Sequence, residues 1–78
     1  MTELAQRIRL TVNGAMRDLA QGQTVLDLLA DIGLAARKVA VERNLEIVPR
    51  SQYATIRLAD GDAIEIVHVI GGGCVLNA

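Results

Sequence analysis

The clearest alternation of apolar and polar residues lies near the start of the chain, at residues 7–13. The apolar members of this stretch are Ile8, Leu10 and Val12. Because they recur at every second position, the pattern predicts a half-buried β-strand. Asn13-Gly14 follows and predicts a two-residue hairpin turn. The returning strand is expected at Ala15–Ala20, with Met16 pointing inward.

A second pattern, with apolar residues three and four positions apart, predicts an amphipathic helix. Its apolar stripe comprises Val25, Leu28, Leu29 and Ile32. Thr24 is placed to cap the first turn, and Asp27, three residues later, completes a capping-box arrangement. Gly33 is expected to end the helix in a left-handed conformation.

The middle of the chain contains short strands and turns. Residues 39–42 are apolar enough for a buried strand, and residues 45–48 follow as a short extended piece after a turn at Arg43-Asn44. Pro49 stops that piece because proline cannot donate to a strand ladder. A single helical turn is then expected at residues 51–53.

The last strand is expected at residues 63–70, after a turn at Asp60-Gly61. One face of this strand carries Ile64, Ile66, His68 and Ile70. The opposite face carries Ala63, Glu65, Val67 and Val69. The order of elements predicts an α+β architecture of the β-grasp, ubiquitin-like kind, a mixed sheet of four to five strands with one main helix packed on one face. We expect the first and last strands to form a parallel central pair.

Composition narrows the range of functions. Apolar residues make up 51% of the chain but Tyr53 is its one aromatic residue, so the core is expected to be aliphatic. The net charge of −1 argues against a nucleic-acid partner. A single cysteine excludes an internal disulfide and a cysteine-only metal site. Because the chain has no secretory signal and no apolar run of the roughly 18–20 residues that a membrane span needs, we expect a cytoplasmic protein without a membrane partner.

Three glycines, Gly71, Gly72 and Gly73, follow the last strand directly. Glycine has no side chain and loses more backbone entropy on ordering than any other residue, so we expect a flexible strap. We therefore divide the chain into a β-grasp domain, residues 1–70, and a flexible glycine-rich tail, residues 71–78. Extended, residues 70–73 reach at most about 14 Å, which suits a protein whose own end is the substrate of another enzyme.

Several segments together carry a family resemblance. The middle of the chain contains Val41-Glu42-Arg43-Asn44, Glu46-Ile47-Val48-Pro49-Arg50 and Tyr53. The end contains Asp60-Gly61-Asp62 and then EIVHVIGGG at residues 65–73. The early pieces are Asn13-Gly14, Gln23-Thr24-Val25 and Leu28-Leu29. In this combination, over about residues 7–73, the chain resembles the ThiS family of sulfur carrier proteins of thiamine biosynthesis.

The resemblance implies a carrier, a protein co-substrate rather than an enzyme, with no bound cofactor. In the family, a ThiF-type enzyme uses ATP to adenylate the C-terminal glycine, and sulfur from a cysteine-desulfurase route replaces AMP. Thiazole synthase (ThiG) takes sulfur from the resulting thiocarboxylate. Carried onto this chain, the acceptor is Gly73, or Gly72 because some members stop at two glycines, with Gly71 and Gly72 as the strap.

The last five residues, CVLNA at 74–78, depart from the family pattern because Gly73 then carries a peptide carbonyl instead of a carboxylate. Three interpretations stay open: a tail-processing protease removes the segment, the end of the gene differs, or the protein has moved away from carrier work. The Cys74 thiol could attack the preceding carbonyl, but nothing in the sequence supplies the strain or catalyst. A solvent-exposed cysteine in a disordered tail is the simpler interpretation.

Other candidate residues have ordinary structural explanations. His68, the only histidine, has no second ligand at a metal-binding spacing, which favours a structural or docking role. Asp60 and Asp62 hint at a cation site, although a solvated turn explains them more simply. Val67 and Val69 lie on the face that the helix leaves uncovered, so they are candidate docking residues or, alternatively, minor packing around the loops. No metal site is expected.

Two other function classes stay open. One is the same carrier chemistry for another pathway, such as molybdopterin, cysteine or secondary-metabolite sulfur supply. The other is a ubiquitin-like interaction module without chemistry at its tail. ATP-dependent adenylation of the processed chain would separate the module from both carriers.

Overall fold

The computed structural model describes residues 6–70 and 74–77. Within them, a mixed sheet packs one face against an α-helix, which is the β-grasp architecture expected from the sequence. The strands are β1 (Arg7–Val12), β2 (Ala15–Ala20), β3 (Val39–Arg43), β4 (Glu46–Val48), β5 (Ala63–Ile70) and β6 (Cys74–Asn77), and the helix is α1 (Val25–Ile32). No helix of the described part has the length and apolar character needed to cross a membrane.

The hairpin of β1 and β2 turns at Asn13-Gly14, as the sequence predicts. Both residues have positive φ, 51° and 86°, a geometry that matches the twist of the flanking strands. The resulting register places Met16 opposite Thr11 on the outer face of the sheet. The inward orientation expected for Met16 is therefore wrong: its side chain is 64% exposed, and Leu19 is the buried residue of β2.

Helix α1 begins at the predicted capping box. The Asp27 amide donates to Thr24 Oγ1 at 3.2 Å, and the Thr24 amide donates to the Asp27 carboxylate at 3.0 Å. Gly33 ends the helix with a φ of 95°, as expected for a left-handed cap. The fully buried members of the apolar stripe are Val25, Leu28 and Leu29.

The sheet has the strand order β2-β1-β5-β3-β4, and β1 and β5 are parallel neighbours at its centre, which confirms the expected central pair. The core between the sheet and α1 is aliphatic apart from Tyr53, whose hydroxyl donates to the Val39 carbonyl at 3.2 Å. The predicted helical turn after Pro49 is a 3-10 turn at Arg50–Gln52. Strand β5 is thus enclosed by β1 on one side and β3 on the other.

Part of the predicted flexible tail, residues 71–78, forms a strand. Cys74–Asn77 are β6, antiparallel to residues 67–70 of β5. The physical reason is that β1 pairs with β5 only at Ala63 and Ile64, which leaves the edge of β5 free further along. Gly71, Gly72 and Gly73, the expected strap, lie outside the described residues.

Candidate functional site

The glycine run follows the central strand of the sheet. Residues 64–68 of β5 pair with β3 on one edge, and Ala63 and Ile64 pair with β1 on the other. Pairing with β3 therefore holds β5 as far as His68, two residues before the strand ends at Ile70. The predicted acceptor, Gly73 or Gly72, and the predicted strap lie outside the described residues.

A groove of about 400 Å³ lies on the outer face of the sheet, across β3, β4 and β5. Its lining includes Ala40, Glu42, Leu45, Ile47, Glu65 and Val67. Val67, a predicted docking residue, therefore lines the groove. Val69, the other predicted docking residue, comes two positions later on the same face and is half-buried.

Two of the residues that line the groove are exposed and apolar, and the sequence pattern does not single them out. Leu45 is 88% exposed and Ile47 is 74% exposed. The register pairs Arg43 with Glu46, so the turn lies at Asn44-Leu45, one residue later than predicted. Leucine is not a typical turn residue, which is why the pattern put it inside the strand. The outward position of Ile47 follows from alternation with the buried Val48, and that signal was available.

Leu45 also has a strained backbone. Its φ is 71°, a left-handed conformation that costs a residue with a Cβ roughly 1–2 kcal/mol. Asn44, with a φ of 53°, is a residue type that tolerates this region, and its side chain is held by hydrogen bonds to Asp62 and Ala63. An exposed leucine at a strained position adds little to the folded domain, and this combination is typical of a contact residue.

Acidic side chains line the same groove. Glu42 and Glu65 are directly opposite each other on β3 and β5. Like charges in this arrangement destabilise a sheet, and neither residue takes part in the ion pairs found among the described residues. An apolar groove with two unneutralised carboxylates fits a partner surface that presents an apolar side chain flanked by lysine or arginine.

The acidic turn before β5, which contains Asp60 and Asp62, has a structural role. The interpretation of Asp62 as part of a solvated turn is wrong. Asp62 is 6% exposed and accepts hydrogen bonds from Arg43 Nε at 2.8 Å, Asn44 Nδ2 at 3.0 Å and the Ala59 amide at 2.8 Å. Asp60 accepts one from the Arg9 amide at 2.7 Å. Because donors occupy both Asp62 oxygens, this carboxylate joins the loop to β3 and is not arranged to bind a cation.

His68 lies half-buried in β5, opposite Val39 of β3 and Leu76 of β6. Its position on the side of Ile64 and Ile66 is the one that alternation predicts. Among residues 6–70 and 74–77, no group of three or more histidine, cysteine or acidic side chains is arranged to hold a metal ion. The features that remain for function are the outer groove and the segment that follows β5.

Comparison with known proteins agrees with the family resemblance seen in the sequence. The chain matches the model of the ThiS family over residues 10–73. A thiazole synthase of Paramagnetospirillum magneticum is 53% identical over 66 residues, which are 85% of this chain but 20% of that protein. This chain therefore spans about a fifth of that relative's length. The sulfur carrier protein ThiS of Bacillus subtilis is 50% identical over 50 residues, 64% of this chain and 76% of that protein.

A solved structure agrees as well. The crystal structure of the thiamine biosynthesis protein ThiS from Geobacter metallireducens superposes with a TM-score of 0.74 at 36% identity. The superposition covers 85% of this chain and 100% of that one. Family model, relatives and fold coincide, so this chain belongs to the ThiS family, the sulfur carrier proteins of thiamine biosynthesis.

Proposed function

We propose that this chain carries sulfur as a thiocarboxylate on Gly73 and donates it for formation of the thiazole ring of thiamine. One observation carries the proposal: the family match ends at Gly73, the last of the three glycines, and leaves out residues 74–78. The family boundary thus coincides with the position where the chemistry needs a carboxylate.

The sequence of steps begins with hydrolysis of the peptide bond between Gly73 and Cys74, which gives Gly73 a free carboxylate. A ThiF-type enzyme then lets this carboxylate attack the α-phosphate of ATP, and pyrophosphate leaves. The outer sulfur of a persulfide from a cysteine-desulfurase route displaces AMP from the acyl-adenylate and forms an acyl disulfide. A partner thiol then attacks the other sulfur of that disulfide, which releases the thiocarboxylate and leaves the thiol oxidised in a new disulfide. The chain itself contributes an acyl group and a docking surface, and its partners contribute the catalysis.

The outer groove is the proposed docking surface for the ThiF-type enzyme. Leu45 and Ile47 provide exposed apolar area, and Val67 lines the groove on the strand that leads to the glycines. Glu42 and Glu65 favour a partner with basic residues around an apolar contact, because their mutual repulsion is relieved when a cation approaches. In this proposal, binding of the outer groove brings the end of β5, and with it the segment that contains Gly73, to the same partner.

The proposed acceptor of the sulfur is a thiazole synthase. A stretch similar to this chain makes up 20% of a relative that carries that name. The sulfur carrier ThiS of Bacillus subtilis, which is 50% identical over the matched residues, supports the carrier half of the same reaction.

A second candidate is a ubiquitin-like interaction module that keeps its tail. The observation that favours it is β6, which places Cys74–Asn77 in the sheet. In such a module the groove would still bind a partner, but Gly73 would never carry a free carboxylate.

Adenylation separates the two candidates. The chain ending at Gly73, the 78-residue chain and the Gly73→Ala variant of the shorter chain are each incubated with a ThiF-type enzyme and ATP. We expect pyrophosphate release from the first, none above background from the second, and a rate about tenfold or more lower for the variant, because a methyl group misplaces the acyl end in a narrow channel. Circular dichroism checks that the variant stays folded.

Equal release from all three chains would contradict the proposal. Normal adenylation of the Gly73→Ala variant alone would remove the argument that glycine is needed to thread the channel.

A further inference from the structure

Three successive features cover one edge of β5. Strand β1 pairs with Ala63 and Ile64. The Asn13 side chain then pairs with the backbone of Ile66. Its Nδ2 donates to the Ile66 carbonyl at 3.2 Å, and its Oδ1 accepts from the Ile66 amide at 2.8 Å. Strand β6 covers residues 67–70. Without β6, the second half of this edge would be an open strand edge, which is a template for pairing with another chain.

The direction of the backbone groups in β5 follows from the Asn13 contacts. Ile66 directs both its N–H and its carbonyl towards the β1 side, and successive residues alternate in direction. His68 and Ile70 therefore direct their amides towards β6, while Glu65 and Val67 direct theirs towards β3. The pairs His68–Leu76 and Ile70–Cys74 are consequently the hydrogen-bonded ones, and Val69–Val75 is not.

We propose that β6 is a self-inhibitory latch: Cys74–Asn77 close the edge of β5 and must detach before the preceding glycines can enter an enzyme's site as a single extended chain. Ile70 and Cys74 are strand partners with three residues between them. Because paired strands lie about 4.8 Å apart, Ile70 and Cys74 present two strands side by side while β6 is paired, which is wider than a channel that admits one extended chain.

Strand β6 is short enough to detach from β5 while the rest of the domain stays folded. It holds four residues at the end of a sheet, and short terminal strands open by local fluctuation without unfolding the domain. Only the consequence for sulfur transfer rests on the proposed function, because the pairing itself is a property of the folded chain.

Two proline variants of the 78-residue chain test the latch. Leu76→Pro removes an N–H that is directed at β5 and should release β6. Val75→Pro is the matched control, because the Val75 N–H is directed away from β5, where an edge strand tolerates proline. Amide hydrogen exchange is measured at His68 and Ile70, with Glu65 and Val67 as internal references protected by β3.

We expect Leu76→Pro to speed exchange at His68 and Ile70 about tenfold or more, with Glu65 and Val67 unchanged and Val75→Pro close to the parent chain. Exchange at His68 and Ile70 that is equally fast in the parent and in Leu76→Pro would overturn the proposal.

A second readout follows the consequence of release. A broad-specificity serine protease is added to both variants, and intact mass records cleavage after residue 70. Faster cleavage of Leu76→Pro than of Val75→Pro supports the latch, and equal cleavage rates overturn its inhibitory role. If hydrogen exchange and proteolysis both support the latch but the chain ending at Gly73 is not adenylated, the proposed carrier function is contradicted and the latch is not.

Discussion

At the scale of single residues, Asp62 is the clearest link between the loop before β5 and the strands. Burial alone would raise the pKa of its carboxyl group. Hydrogen bonds from the Ala59 amide, Arg43 and Asn44, together with the charge of Arg43, outweigh that effect, so the pKa of Asp62 lies below its ordinary value. A carboxyl whose pKa is lower in the folded state than in the unfolded chain stabilises the fold while it is ionised.

We expect Asp62→Asn to lower the free energy of unfolding at neutral pH by about 2–4 kcal/mol, because it leaves buried donors without an acceptor. The Asp62 contribution is complete above a pH of about 4, the unfolded-state value, and is lost as the pH falls further. Urea unfolding between neutral and acid pH measures both effects.

The matched control is Asp18→Asn. Asp18 pairs with Arg9 at 2.9 Å at the surface, where water screens the two charges and the pair adds little to stability. If the free energy of unfolding falls equally with pH in the parent chain and in Asp62→Asn, the prediction is contradicted, because Asp62 would then make no contribution to stability that acid removes.

Residue-scale roles were the hardest to predict because they depend on distant partners. Asp62 lies 19 positions from Arg43 and 18 from Asn44, so a sequence window shows it only as an acid beside Gly61. By contrast, the Thr24–Asp27 capping box is complete within four consecutive residues and was predicted correctly.

At the scale of elements, the turns at Asn13-Gly14 and Asn44-Leu45 show when the residues of a turn are enough to predict its position. Asn13-Gly14 has the residues that positive φ favours, so the sequence specified both the turn and the register of the hairpin. Asn44-Leu45 adopts positive φ with a leucine, and the sequence placed that turn one residue too early. Strand β6 was missed because the signal for it, an uncovered edge of β5, exists only in the assembled sheet.

The β3–β4 turn gives a prediction at this scale. Leu45→Gly relieves the strained backbone, so the free energy of unfolding should stay level or rise by up to about 1 kcal/mol. Affinity for the ThiF-type enzyme should nevertheless fall about tenfold, because an exposed anchor is lost. Urea unfolding and binding calorimetry measure the two effects.

Met16→Ala is the control for Leu45→Gly. Met16 is also an exposed apolar residue of the outer face, but it lies on β2, away from the groove. We expect its substitution to leave affinity near the parent value. Unchanged affinity in Leu45→Gly would exclude the groove as the docking surface.

At the scale of the whole molecule, the fold and the family follow from patterns that a sequence displays directly. Alternation in β1 and β5, the helical stripe and the parallel central pair were all predicted and are present. The sheet then provides an outer groove on one face and a covered strand edge beside the glycines. The central strand β5 thus connects the proposed docking groove with the segment that contains the proposed acceptor, Gly73.

Intact mass spectrometry of the untagged protein from its own host tests the carrier function most directly. The expected result is a mass that ends at Gly73, with a fraction heavier by the replacement of one oxygen with one sulfur. A mass that retains residues 74–78 in every molecule would contradict sulfur carriage on Gly73.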